Sequence, residues 1–363
     1  MSFHIIYVGA GIANLYSAYT HLKSHPDSRV LILEKSGHVG GRVSWAMFQG
    51  IEVVKGAGIG RFKKDKLLLN LLKELEIPFV RYKSDLGKSH IKSTIAELER
   101  QKMGIKNDSF KEYAIRIIGN SAYLKFRDAV GFTDYENMDA RIALDHYGFE
   151  DTFGMQESFS FSWHKLIDAL KSKLNCIKLY QEVISVAPEN VTTCKFEYTT
   201  KHIVVGGTIE TLQNLFPKVK VYRDIGTQPF LRIYAETTKT LGIQKYTTVS
   251  TPLQKLIPIR PDRNIYMISY SDNANAVLLR DASKSQLEKY LQSTFHDSEI
   301  KIKTYRKFFI KSGTHFYKPN FKFTDQLQKP IMNANIHVVG EVVAINQGWV
   351  DSALKTTQNI KLN

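Results

Sequence analysis

The stretch YVGAGIANLYSAY, Tyr7 to Tyr19, decides the fold. Its Gly9-Ala10-Gly11 stands between an apolar run, FHIIYVG, and the segment IANLYSAYTHLKS, in which Ile12, Leu15, Tyr16, Tyr19 and Leu22 recur at spacings of three and four. That spacing puts them on one face of a helix, and His25-Pro26-Asp27 ends it. The next segment, SRVLILEK, holds a continuous apolar run suited to a buried parallel strand. Strand, glycine turn, helix and strand form the setting of a dinucleotide fingerprint. Gly9 permits the tight turn, and Gly11 lets a pyrophosphate approach the backbone N–H groups at the helix start, at Ile12, Ala13 and Asn14. Asn14 replaces the third glycine of the fingerprint, at a position that packs helix against strand and does not touch phosphate. Glu34 lies 23 residues beyond Gly11, at the end of the second strand. There a carboxylate accepts hydrogen bonds from ribose hydroxyls and disfavours a 2′-phosphate. Its neighbour Lys35 leaves a plain solvent-exposed charge pair as the alternative.

The remaining composition narrows the class. The 363 residues, 43% hydrophobic and 23% charged, are those of an ordinary globular protein large enough for two domains. No apolar run approaches the roughly 18 residues of a membrane span, and the opening Ile5–Val8 run lacks a charged leader and cleavage site. A cytoplasmic protein is expected. Cys176 and Cys194 have no CxxC spacing, which argues against both a zinc site and a disulfide framework. The formal charge of +15 invites a nucleic-acid partner, but the lysines are dispersed from Lys23 to Lys361 and no nucleic-acid-binding motif accompanies them. A solvated basic surface is expected, which repels polycations unless acidic groups line the pocket mouth.

Further along, KDKLLLNLLKELEIPF and SWHKLIDALKSKL read as helices, and HIVVGGTIETLQNLF as strand, glycine turn and helix. From about Gly226 to Tyr317 the runs PFLRIYAE, NIYMISYSD, AVLLRD and IKTYRKFFI are β-rich, with a helix at SKSQLEKYLQSTF. NIHVVGE then reads as a short strand and WVDSALKTTQNI as a closing helix. The expected fold class is α/β. A discontinuous Rossmann-like dinucleotide-binding domain (1–80, 155–225 and 325–363) carries an inserted α+β substrate domain on an antiparallel sheet (81–154 and 226–324).

EKSGHVGGRVSW adds Gly40-Gly41-Arg42 directly after the ribose position. With that spacing the chain resembles the flavin-containing amine oxidoreductases, of monoamine and polyamine oxidase type. The resemblance implies FAD. It runs the Gly40-Gly41 backbone beside the flavin and turns Arg42 to the pyrophosphate, as close approach and guanidinium chemistry allow. VVKGAGIGRF resembles the family strip along the flavin ring (Gly56, Ala57, Gly58, Ile59), and QEVISVAPEN the strand whose Val183 meets the adenine edge. VVGEVVAINQGWVDSALKTTQNI resembles the closing motif, with Gly340 and Glu341 beside the ribityl chain. In it Gln347, Gly348, Trp349 and Val350 open a helix at the pyrimidine end, where a helix N-terminus stabilises negative charge. The compact, lysine-rich chain also resembles the small amine-oxidase-like proteins of large DNA viruses, which implies host cytoplasm or virion.

In monoamine oxidases two aromatic rings face each other before the flavin. Trp349 aligns with one, and Tyr317 or Phe316 in SGTHFYKP with the other; core aromatics are the plain alternative. The cysteine that tethers FAD in some members has no counterpart around Thr314, so FAD is expected to be non-covalent. A lysine common near flavin N5 is replaced by Arg232 in PFLRIYAE. If Arg232 faces the flavin it suits an anionic substrate such as an amino acid; if it faces solvent nothing follows, and strand alternation leaves both open. The expected activity is FAD-dependent oxidation of a small-molecule amine or amino acid, by hydride transfer to flavin N5 with oxygen as acceptor. The catalytic candidates are Trp349, Tyr317 and Arg232. The alternatives are another FAD enzyme of this fold (desaturase, porphyrinogen oxidase, nucleotide-sugar mutase) or a degenerate FAD-binding protein.

Overall fold

The computed structural model describes residues 2–358, 360 and 362. The strand Ser2–Val8 lies in a seven-stranded sheet, parallel to Val30–Leu33 on one side and to Glu197–Gly206 on the other. Ile177–Lys178 extends the parallel order beyond Val30–Leu33. Beyond Glu197–Gly206 the sheet splits: Ile336–Val339 runs parallel to its end, while Asn190–Thr193 and Val183–Ala187 continue antiparallel from its beginning. Strand alternation explains the layers. Ile5, Tyr7, Val30 and Ile32 point into a core with the helices Ile12–Ser24, Lys66–Glu74 and Trp163–Ser172. Ile6, Val8, Leu31 and Leu33 point into a second core, which the helices Ser89–Arg100, Phe110–Ile118, Asn120–Val130 and Ala140–His146 help to build. Both faces are covered, so these strands are apolar without alternation.

A five-stranded antiparallel sheet follows the order Thr247–Thr248, Lys255–Arg260, Ile265–Asp272, Ile225–Thr237, Ile302–Tyr317. Leu231, Ile233 and Ala235 of its long strand enter a core with the helices Asn273–Asp281 and Lys284–Phe295. Tyr234 is buried instead with Phe48 and Val53 of the hairpin Trp45–Phe48/Ile51–Val54.

Two expectations are corrected. AVLLRD is not a strand but part of the helix Asn273–Asp281. Ala276 and Leu279 are buried three apart while Val277 and Leu278 are about half exposed, which is helical spacing read as a β-rich run. The closing helix spans only Val350–Lys355, with turns after it; Asn359 of the expected helix lies outside the described residues. Among the described residues no helix is long and apolar enough to cross a membrane.

Candidate functional site

Gly9 follows the first strand at φ +90°, and a Cβ there would stand 2.4 Å from the carbonyl oxygen of Gly206. Only glycine fits. Gly11 is the converse: its φ is −70° and nothing lies within 4 Å of an added Cβ. It opens a 13-residue helix that no side chain caps and whose first turn holds no acidic residue. The N–H groups of that turn therefore sit at the positive end of the helix without a side-chain cap. Asn14 is wholly buried, its Nδ2 donating to the carbonyls of Val8 (2.8 Å) and Gly9 (2.7 Å). Its side chain locks the helix to the strand.

Glu34 ends the second strand beside this opening. Its Oε2 accepts the Ala10 N–H at 2.7 Å, and its Oε1 accepts the N–H and hydroxyl of Ser36. A carboxylate offers about four acceptor sites, so Glu34 keeps capacity for a further donor. Gly40 donates to the Ala10 carbonyl at 2.8 Å, which brings the paired glycines alongside Gly11. These residues fit the adenosine and pyrophosphate of a dinucleotide.

Arg42 is turned toward the closing segment. Its Nη1 donates to Glu341 Oε2 at 2.7 Å and to the Gly313 carbonyl at 3.2 Å; among the described residues no acceptor meets Nε or Nη2. Glu341 is buried, and its Oε1 accepts the N–H groups of His315 and Gly348. Burial alone would raise its carboxyl, but Arg42 and His315 outweigh burial and hold it well below the usual carboxylate range. His315 is buried too, and its Nε2 accepts the Ile209 N–H at 3.1 Å. The proton therefore sits on Nδ1, which donates to Glu341 Oε2 at 2.6 Å. Sequence reading missed His315, which sits between two residues it singled out.

The expected flavin strip is tightly built. An added Cβ at Gly56 would meet the Arg42 carbonyl oxygen at 1.8 Å, and one at Gly58 would meet Arg232 Nη2 at 3.3 Å. Arg232 is 4% exposed, so the solvent-facing reading is overturned. The long strand sends Leu231 and Ile233 into the core behind it, while Arg232 and Tyr234 reach the opposite segment. Arg232 Nη2 donates to the Gly56 carbonyl at 2.5 Å and Tyr234 Oη to the Val54 carbonyl at 2.7 Å. The Arg232 guanidinium also lies 4.0 Å from the ring centre of Tyr270.

Trp349 is half-buried, with the Arg61 guanidinium 3.6 Å from its ring centre. Arg61 is held by Asp65 at 2.6 Å and Asp151 at 3.0 Å, another arrangement sequence reading missed, although the spacing of Arg61 and Asp65 is that of a helical ion pair. Tyr317 does not join Trp349. It is fully buried, its hydroxyl donates to the Ala344 carbonyl at 3.0 Å, and its ring packs on Phe321. Phe316 is buried in the same core. Gly340 has φ +109° with nothing within 4 Å of an added Cβ, and Gly348 has φ +87°. Val350 is half-buried, Ile59 and Lys35 are exposed, Ala57 donates to the Arg42 carbonyl at 3.2 Å, and Val183 begins an outer strand of the first sheet. The six-residue helix after Trp349 carries Asp351 in its first turn, bonded to the Leu68 N–H.

Residues 8–75 match the profile of NAD(P)-binding Rossmann-like domains. No curated protein matches the chain by sequence. Among solved structures, a putrescine oxidase bound to putrescine is similar over 99% of this chain and 98% of its own, with 13% identity and a TM-score of 0.77. A protein assigned as a protoporphyrinogen oxidase of Exiguobacterium sp. 255-15 is similar over 98% of both chains, with 13% identity and a TM-score of 0.73. The chain thus opens with an NAD(P)-binding Rossmann-like domain and is folded along its whole length like these oxidases, and the likeness to flavin-containing amine oxidoreductases read from its motifs holds for the fold.

Proposed function

We propose that the protein is an FAD-dependent oxidoreductase that oxidises an amine or amino acid. The observation that supports it is the uncapped helix start above Gly11, set beside a carboxylate at Glu34, in a chain folded throughout like oxidases. On this reading the first-turn N–H groups bind the pyrophosphate, Glu34 accepts the ribose hydroxyls, and the free donors of Arg42 face the cofactor. Gly56 and Gly58 give the ring system a side-chain-free wall, which Arg232 and Tyr234 hold from behind. When bound, FAD supplies the hydride acceptor and passes the electrons to oxygen. The cofactor is held without a covalent bond, because Ser312–Tyr317 contains no thiol. The dinucleotide-binding domain comprises 1–80, 155–225 and 325–363. The purified protein is expected to be yellow and to release its flavin in acid. A colourless protein that takes up no added FAD overturns the reading.

A second reading draws on one pocket. His38, Arg42, Lys55 and Lys307 line an open pocket of about 390 Å³ with Phe308 and Phe309, a set suited to a phosphorylated ligand such as a nucleotide sugar. Anaerobic titration separates the two: bleaching of the flavin by an amine or amino acid supports oxidation, and a spectral shift with nucleotide sugars alone supports the second.

A further inference from the structure

We infer that the ring of Tyr180 stacks on the adenine of the bound FAD, a contact that no residue already placed at the nucleotide end supplies. The inference rests on the FAD reading and deepens it. Glu34 fixes the side on which the base lies. Its Oε2 is shared with the Ala10 N–H, next to the helix start that takes the pyrophosphate on that reading, and its Oε1 with the N–H and hydroxyl of Ser36. An adenosine whose ribose hydroxyls meet this carboxylate carries its phosphate on C5′ and its base on C1′, at opposite ends of the sugar. With the phosphate toward Gly11, the base projects to the Ser36 side. Tyr180 stands there. Its N–H donates to the Ser36 carbonyl at 3.2 Å, and the N–H of Gln181 donates to the Glu34 carbonyl at 2.8 Å.

The ring is free to receive a base. Tyr180 is 75% exposed, and among the described residues no other ring and no cation packs on it. Its hydroxyl end lies over Gly37, where an added Cβ would stand 2.2 Å from Oη, so bare backbone backs that end of the ring. Tyr180 also holds φ +55°, in the left-handed region. The other described non-glycine residues with positive φ are Gln, Glu, Lys, Asn and His, all polar. A bulky aromatic residue is disfavoured there, and a turn alone is better served by glycine or asparagine. Backbone strain of this kind gathers at ligand sites. A ring held in such a conformation and left in water adds little to the core, whereas a purine laid on it takes both faces out of water and adds the stacking of two π-systems.

The test removes the ring and the base in turn. Tyr180→Gly suits φ +55° and is expected to leave the urea midpoint unchanged or raised, so a loss of binding is not a loss of fold. Equilibrium dialysis of the full-length holoprotein gives the dissociation constant of FAD, and competition gives that of an analogue that ends in ribose and lacks adenine. Tyr180→Gly is expected to weaken FAD about tenfold while changing the analogue by less than about twofold. Tyr180→Phe keeps the ring and is expected to hold FAD within about twofold of the unaltered protein. A Tyr180→Gly variant that binds FAD normally overturns the inference. So does one that loses FAD and the analogue equally, because Tyr180 then supports the ribose loop rather than the base, and so does a Tyr180→Phe variant as weak as Tyr180→Gly. An unaltered protein that takes up no FAD fails the underlying reading instead; a yellow protein indifferent to the Tyr180 ring fails this inference alone.

Discussion

Arg232 is buried and Arg61 largely so, yet their surroundings treat the charge in opposite ways. Arg61 is enclosed by Asp65 and Asp151, Lys64 ties Asp151 to Glu150, and Trp349 covers the guanidinium face. Every charge there has a partner from the chain. Arg232 has the Gly56 carbonyl and the side chains of Tyr234 and Tyr270 and, among the described residues, no anion. The Arg61 region is complete without a ligand and serves the fold. The Arg232 region is incomplete only in that sense: dipoles and a ring face meet its charge. The nucleotide end repeats the contrast in backbone: Gly9 is packed against Gly206, while Gly11 faces open space.

The largest effect is expected where a complete region is broken. Asp65 is 1% exposed and accepts the N–H, Nε and Nη2 of Arg61. Asp65→Asn leaves that guanidinium buried with a poorer partner and is expected to cost about 3–5 kcal/mol in urea unfolding. A loss below about 1 kcal/mol would mean that the pair is solvated and that the two arginines differ less than their contacts say. Gly9→Ala comes next. The strained φ and the clash with Gly206 together are expected to cost about 2–4 kcal/mol, with loss of the flavin colour, and retention of both breaks the distinction between Gly9 and Gly11.

Acid probes another region that the chain completes for itself. His4, His21 and His25 stack ring on ring and line a pocket of about 580 Å³ below the sheet, with His202 against His4. Burial, with the neighbouring histidines, lowers His21 to about 4, and burial with His202 and Lys329 lowers His337 to about 4. Both bases are neutral when folded but protonate near 6.5 when unfolded. Stability is therefore full above pH 6.5 and is lost as pH falls toward 4, by roughly 2 kcal/mol for each. Urea midpoints between pH 7.5 and 4.5 check the slope, and His21→Gln is expected to flatten it.

Arg232→Met tests the incomplete region in the opposite sense. Deleting an unpaired buried charge while keeping its packing is expected to leave stability within about 1 kcal/mol or to raise it. Destabilisation on the scale of Asp65→Asn would make Arg232 a strut like Arg61.

These regions also differ in what the sequence shows. The nucleotide end comes from one stretch, Ile5 to Arg42, where spacing along the chain becomes spacing in space: strand, turn, helix, strand and acid are legible in order. Arg232 meets Gly56 across 176 residues, and its direction follows from strand alternation only once the core behind Leu231 and Ile233 is known. His315 and Glu341 come together in the same way, from different elements. Tyr317 shows the hazard of transfer by alignment, because both it and its neighbour Phe316 lie in the core, and nothing in the local pattern SGTHFYKP separates a core aromatic from one in a cleft. AVLLRD misled because a helix that buries one side of a short apolar run looks, in sequence, like a strand.

The smallest effect on stability is expected at Gly11, and there the open region is most sharply tested. Gly11 has φ −70°, which any residue adopts, and a Cβ there touches nothing within 4 Å. Gly11→Ala gains a little from a stiffer unfolded chain and loses a little at the N-cap, so stability is expected to change by less than about 0.5 kcal/mol. The methyl group nonetheless stands in the open space before the first-turn N–H groups of that helix, where the proposed function places the phosphate. Flavin affinity, read by fluorescence of apoprotein titrated with FAD, is expected to fall at least tenfold, which is about 1.4 kcal/mol taken wholly from binding. A variant that is stable and binds FAD normally would move the pyrophosphate away from this helix, and with it the ligand that leaves Gly11 open where Gly9 is closed.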